Sequence, residues 1–84
     1  EEQKNLLLKK YKDYIEIKKI NINIKEIENI EIDQIIKFIP MISPFKNIDK
    51  QALLETENLL EFYNKLQSIL ELELAGDFLN KTIN

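Results

Sequence analysis

The chain of 84 residues has room for one small domain, and we predict that residues 1–84 form a single domain. It contains neither cysteine nor histidine, which excludes disulfide scaffolds, thiolate zinc sites, cysteine nucleophiles and imidazole bases. Its net charge of −3 argues against a nucleic-acid partner, because phosphate binding requires clustered basic residues. The sequence contains no run of about 18 apolar residues, so we predict no membrane span.

The first helix is predicted from Lys4 to about Ile20, because its apolar residues recur at the spacing of one helix face. These residues are Leu7, Leu8, Tyr11, Tyr14 and Ile15. The isoleucines between Ile15 and Ile24 alternate with polar residues, which is a strand pattern. A lone strand would leave its backbone unpaired, so we predict an extended connection at 21–23.

Isoleucines spaced by three from Ile24 to Ile30 predict a short helical turn. A further helix is expected after Asp33, whose side chain suits the cap position. Pro40 lacks an amide hydrogen and should end or kink this helix. We expect an apolar loop around Pro44 after it, containing Met41, Ile42 and Phe45.

The next helix is predicted to be short, with Asp49 as its cap and an end near Thr56. Ile48, just before this cap, is expected to pack on Leu53 as a hydrophobic staple. The longest helix is predicted over residues 57–75 from an apolar stripe, with Gly76 as its C-terminal cap and residues 77–84 as a frayed tail. The stripe comprises Leu59, Tyr63, Leu66, Leu70 and Leu74, widened by Leu60, Phe62 and Ile69.

Breakers are rare in this chain, which has one glycine and two prolines. A sheet protein of this length would need repeated turn residues. We therefore predict an all-α fold: a small bundle of four to five helices with a long C-terminal helix.

Catalytic machinery is not visible in the sequence. Neither Ser43 nor Ser68 has a neighbouring base, and one glycine cannot build a phosphate loop. The helical carboxylates have the spacing of an ordinary solvated face. We expect no enzyme activity, no cofactor and no metal. The apolar excess of residues 15–42 predicts either a central core segment or contact with a partner.

From about Lys12 to Leu74 the chain resembles the helical half of the Lon protease N-terminal domain, in particular stand-alone bacterial proteins that carry this domain without an ATPase. The resemblance rests on Met41-Ile42-Ser43-Pro44-Phe45, followed by Asp49-Lys50-Gln51-Ala52-Leu53-Leu54-Glu55. Relatives usually have an arginine early in the last helix, where this chain has Phe62 or Tyr63. The β-rich subdomain that precedes the helices in that family is absent from this sequence.

The resemblance implies a substrate-recognition module that engages unfolded or client proteins, with a Lon-type protease as a further partner. In such a module Phe45, Ile48, Leu53 and Leu54 either form an apolar binding patch or fix the loop and short helix into the bundle, and we favour the structural role. The alternative is a helical dimerisation or scaffold module unrelated to Lon.

Compartment and chain start give two further expectations. The lack of cysteine fits a reducing cytoplasm, where we expect the protein to reside. The chain begins at Glu1 without an initiator methionine. We therefore expect it to be a fragment or a processed product, with the β-rich subdomain of the same protein as a neighbour.

Overall fold

The computed structural model describes the backbone of residues 2–83 and the side chains of residues 2–76. The elements are α1 (Glu2–Ile17), a 3₁₀ turn (Ile24–Glu26), α2 (Ile32–Ile42), α3 (Asn47–Leu54) and α4 (Leu59–Ile83). Within residues 2–83 there are four α-helices and no strand. The predicted all-α bundle with a long C-terminal helix is therefore confirmed.

Helix α4 is the element on which the others pack, and its contact with α1 is the most extensive. Near the start of both helices, the Tyr63 hydroxyl donates to the Gln3 carbonyl at 3.0 Å. Farther along both, Lys18 forms an ion pair with Glu73 at 3.2 Å. Residue numbers rise together along the contact, so α1 and α4 run parallel. The segment between them returns the chain to the starting end and carries α2 and α3.

The core lies where the buried faces of the helices meet. Leu66 is fully buried, as expected from its place in the middle of the α4 stripe. Leu59 and Leu60, at the start of the same stripe, are exposed. The other fully buried side chains are Leu7, Tyr11, Tyr14, Ile35, Ile39 and Leu70.

Helix α1 ends at Ile17, three residues before the predicted end at Ile20. The Ile20 amide donates to the Ile15 carbonyl at 2.9 Å and the Lys19 amide to the Glu16 carbonyl at 3.3 Å. These two bonds form a Schellman motif, which requires a left-handed residue. Lys19 takes that conformation, with φ of 58°.

The connection after α1 follows the prediction. Asn23 is extended, with φ of −88° and ψ of 108°, and its Oδ1 accepts a hydrogen bond from the Lys25 amide at 3.0 Å. This asparagine therefore caps the 3₁₀ turn. The turn begins at Ile24, where the sequence predicted a short helical turn. Ile27 is buried directly after that turn, which anchors the connection to the core.

The expected cap of α2 is wrong, and α2 does not end at Pro40, which was one of the two outcomes expected there. The helix begins at Ile32, with Glu31 at its cap position, so Asp33 lies in the first turn and is not the cap. The helix also continues through Pro40 to Ile42. Proline removes one amide donor near the end of the helix, where few bonds remain to be lost. The fully buried Ile39 side chain keeps the residue before the proline helical, so packing overrides the local preference.

The predicted start of α3 is also wrong. Helix α3 begins at Asn47, and the Lys46 carbonyl accepts hydrogen bonds from the amides of Asp49 and Lys50, each at 3.0 Å. Asp49 is therefore a first-turn residue and not the cap. Ile48 lies inside the helix with 75 % of its surface exposed, so it forms no staple. The extended backbone of Lys46, with ψ of 149°, starts the helix earlier than the Asp49 signal indicated.

Two side chains cap the start of α4, those of Asn58 and Glu61. Asn58 Oδ1 accepts from the Glu61 amide at 2.9 Å, and Glu61 Oε2 accepts from the Glu57 amide at 2.9 Å. This is a close variant of the capping box, and it satisfies amides that a helix start leaves without partners.

The predicted end of this helix is wrong, because α4 passes through Gly76 and reaches Ile83. Gly76 does not have the positive φ of a C-terminal cap. Glycine tolerates ordinary helical backbone as well, at a cost in conformational entropy. The frayed tail expected at 77–84 stays a prediction, and the side chains of these residues lie outside the described part of the chain.

Candidate functional site

Phe45, Ile48, Leu53 and Leu54, for which a binding patch and a structural role were both considered, do not form one exposed surface. Phe45 and Leu53 are 5 % and 2 % exposed, so both belong to the core. Ile48 and Leu54 are 75 % and 77 % exposed, but they line different depressions of the surface. Of the four residues, Leu53 and Leu54 line the same depression.

Phe45 fixes the loop between α2 and α3 to α1. Its ring meets that of Tyr14 edge to face, with centroids 5.5 Å apart and an interplanar angle of 62°. Tyr14 in turn stacks on Tyr11, with centroids 5.9 Å apart. Such aromatic contacts add to the stabilisation from area burial alone, so the Ser-Pro-Phe segment closes the core.

Ser43 is buried next to the aromatic cluster and contacts Tyr11. Its Oγ donates to the Ile39 carbonyl at 2.6 Å and lies 2.7 Å from the Tyr11 hydroxyl. A serine hydroxyl has one hydrogen, and that hydrogen serves Ile39, so Tyr11 is the donor to Ser43. Burial raises the pKa of Tyr11. This serine therefore holds a helix end and has no base beside it for nucleophilic chemistry.

The candidate site is an apolar groove of about 480 Å³ between α2, α3 and the start of α4. Met41 and Leu54 are the most exposed large apolar residues described, at 79 % and 77 %, and both line the groove. Its lining residues are Lys37, Pro40, Met41, Lys50, Leu53, Leu54 and Phe62. We use the name α2–α3 groove for this set. Exposed apolar surface of this kind on a small protein is typical of interaction sites.

Phe38 extends the α2–α3 groove along α2. It lies beside Lys37 and Met41 in an adjoining shallow depression and is partly exposed. Methionine adapts its shape to different apolar partners more readily than branched side chains do. The arrangement is therefore suited to burying apolar side chains of another polypeptide.

Sequence reasoning missed most of this groove. Lys37, Pro40 and Met41 share one face of α2 only when the helix continues past the proline, and the end or kink expected at Pro40 concealed that face. The three-to-four spacing from Lys37 to Met41 was the available signal. Phe62, which widens the predicted core stripe, packs against the core and also lies half-buried at the groove.

A second cleft of about 490 Å³ follows α1. Most of its lining is polar or charged, and Leu8 and Ile24 are its apolar members. Its charged residues are Lys4, Lys9, Lys12 and Glu28. It lacks an apolar floor comparable to that of the α2–α3 groove, which is therefore the stronger candidate.

The described side chains do not form a group of three or more acidic residues that could hold a metal ion. In the part of the chain that the structure describes, no helix has the length and apolar character needed to cross a bilayer. No protein-family model matches the chain, and neither a curated protein nor a solved structure is significantly similar to it. The interpretation of function therefore depends on the α2–α3 groove itself.

Proposed function

We propose that this chain is a non-catalytic protein-interaction module that binds apolar segments of other polypeptides in the α2–α3 groove. The observation that carries the proposal is the clustering of Met41 and Leu54, almost fully exposed, at one groove whose floor is Leu53 and Phe62. Burial of apolar surface is the main driving force of protein association. The groove volume lies within the range of about 300–1,000 Å³ that is usual for binding pockets.

The resemblance to the Lon N-terminal domain supports the same proposal, because that family is thought to engage unfolded or tagged proteins. It also adds a Lon-type protease as a proposed partner and a β-rich subdomain as a proposed neighbour. The resemblance places the binding role in exposed apolar surface and not in a catalytic pocket. Two of the residues it indicated, Leu53 and Leu54, line the α2–α3 groove.

Binding to a reduced and alkylated, permanently unfolded protein tests the proposal by fluorescence anisotropy. Leu54→Ser should weaken binding and leave the melting temperature almost unchanged, because Leu54 is exposed. Ile48→Ser is the matched control, since Ile48 lies on the same helix, is equally exposed and is outside the groove. Equal binding by the two variants would overturn the proposal.

The competing function is self-association through the same groove. Sedimentation velocity separates the two functions, because a dimerisation module sediments as a dimer that Leu54→Ser converts to a monomer. A monomeric chain that binds the unfolded protein supports the recognition module. A Leu54-dependent dimer without such binding supports the scaffold alternative.

A further inference from the structure

The α2–α3 groove carries positive charge at its rim. Its charged lining residues are Lys37 on α2 and Lys50 on α3, and no carboxylate lines it among the described residues. Neither lysine forms an ion pair with another described residue. The ion pairs among the described residues involve Lys10 and Lys18. The two ammonium groups are therefore available to charges on a bound partner.

The positive rim contrasts with the net charge of the whole chain. The chain has 15 acidic residues against 12 basic ones and a net charge of −3. The cleft along α1 is also rich in lysine, but there Glu28 accompanies Lys4, Lys9 and Lys12. The depression around Ile48 shows the usual mixture, since Lys18 and Lys46 are accompanied by Asp49 and Glu73. Local charge that opposes the net charge gives a binding site electrostatic selectivity.

Lysine is suited to a groove of this composition. Its methylene stem can cover apolar surface while the ammonium group remains in water. Lys50 is half-buried and Lys37 is exposed, so a partner's carboxylate can reach either ammonium group without full loss of hydration. An exposed ion pair of this kind changes affinity by about two- to fivefold.

We propose that the α2–α3 groove prefers acidic amphipathic segments, in which large apolar side chains enter the groove and flanking Asp or Glu residues face Lys37 and Lys50. The inference depends on the proposed function, because it assigns the sequence preference of the same groove. Two lysines in a groove that no carboxylate lines among the described residues favour acidic flanks and disfavour basic ones. Selectivity then comes from charge, whereas the apolar side chains supply most of the affinity.

Three fluorescent peptides test the preference on the full 84-residue chain. They share the same central apolar residues and differ only in their flanks, which are Glu, Gln or Lys. At low salt the Glu peptide should bind on the order of tenfold more tightly than the Gln peptide, and the Lys peptide most weakly, because two rim pairs act together. The difference should shrink as salt screens the charges.

Charge reversal of the rim supplies the decisive variants. The double variant Lys37→Glu/Lys50→Glu should reverse the order of the three peptides. Lys25→Glu/Lys65→Glu changes the net charge equally at exposed lysines outside the groove, and it should keep the original order. Circular dichroism checks that both double variants retain their helices.

The outcomes separate this inference from the proposed function. If all three peptides bind equally and Leu54→Ser still weakens each, the acidic preference is wrong and the groove remains an apolar binding site. If no peptide binds and the unfolded protein does not bind, the proposed function is wrong as well. If polyglutamate competes as well as the Glu peptide, charge alone explains binding, and the inference is overturned.

Discussion

The Tyr11 hydroxyl donates to Ser43 Oγ at 2.7 Å inside the core and thereby joins the middle of α1 to the end of α2. Ser43 passes its own hydrogen to the Ile39 carbonyl at 2.6 Å. Both oxygens are thus satisfied where water has no access, which is the condition under which buried polar groups are tolerated. The pair also fixes the direction in which the chain leaves α2 toward α3, and so sets one wall of the α2–α3 groove.

Ser43→Ala should lower the free energy of unfolding by about 1–3 kcal/mol, because it leaves the buried Tyr11 hydroxyl without its acceptor. Ser68→Ala is the matched control, since Ser68 is the other serine of the chain and lies exposed on α4. Its effect should remain within about 0.5 kcal/mol. Urea denaturation followed by circular dichroism measures both, and equal effects would contradict a structural role for Ser43.

Removing both hydroxyls should lower the free energy of unfolding by less than the sum of the two single changes. In Tyr11→Phe/Ser43→Ala neither partner is left unsatisfied, and replacing both partners by apolar groups is close to neutral. A double-mutant cycle of unfolding free energies measures this coupling. Strict additivity would show that the two hydroxyls do not depend on each other.

Alkaline pH should destabilise the fold partly through Tyr11. Burial raises the pKa of Tyr11 above its ordinary value of 10.0 in the folded chain. The folded state therefore holds the phenol proton more tightly than the unfolded state, so stability is full below about pH 10 and falls as the pH rises above it. Tyr11→Phe should reduce this fall between pH 9 and pH 11, measured by urea denaturation. An identical fall in both proteins would contradict the prediction.

Periodicity predicted the buried faces well, as the fully buried Leu66 and Tyr11 illustrate. It did not predict helix ends, because an end depends on which cap the surrounding structure permits. Pro40 was expected to end or kink α2, and the helix continues through it to Ile42 because the buried Ile39 side chain keeps the preceding residue helical. The α2–α3 groove depends on that extra turn, and the spacing from Lys37 to Met41 was the local signal for it, which the proline outweighed.

The caps of α3 and α4 should differ in energy. Asn58→Ala should cost about 0.5–2 kcal/mol, because Asn58 Oδ1 accepts the Glu61 amide. Asp49→Ala should cost less, about 0.3–1 kcal/mol, since Asp49 only places a negative charge in the first turn of α3. Thermal melting of both variants tests this order. A larger effect at Asp49 would restore it as the cap that the sequence indicated.

Gly76→Ala should stabilise the chain by about 0.5–1 kcal/mol. Gly76 lies within α4 without a positive φ, and a Cβ built there meets nothing within 4 Å. Alanine then gains helix propensity over glycine with no steric penalty. The melting temperature reports the change. A decrease would mean that the helix ends here in solution, with Gly76 as the left-handed cap that sequence alone suggested.

Phe45→Ala separates core from surface among the phenylalanines. Phe45 is buried against Tyr14, so its truncation should cost about 3–5 kcal/mol. That is a large share of the roughly 5–15 kcal/mol expected for a whole domain. Phe38→Ala is the control, because Phe38 is partly exposed beside the α2–α3 groove, and it should cost clearly less. Binding of the unfolded protein, measured on the same two variants well below their melting temperatures, should be weakened by Phe38→Ala and little affected by Phe45→Ala. The opposite pattern, intact stability with lost binding for Phe45→Ala, would move the recognition surface from the groove to the loop between α2 and α3.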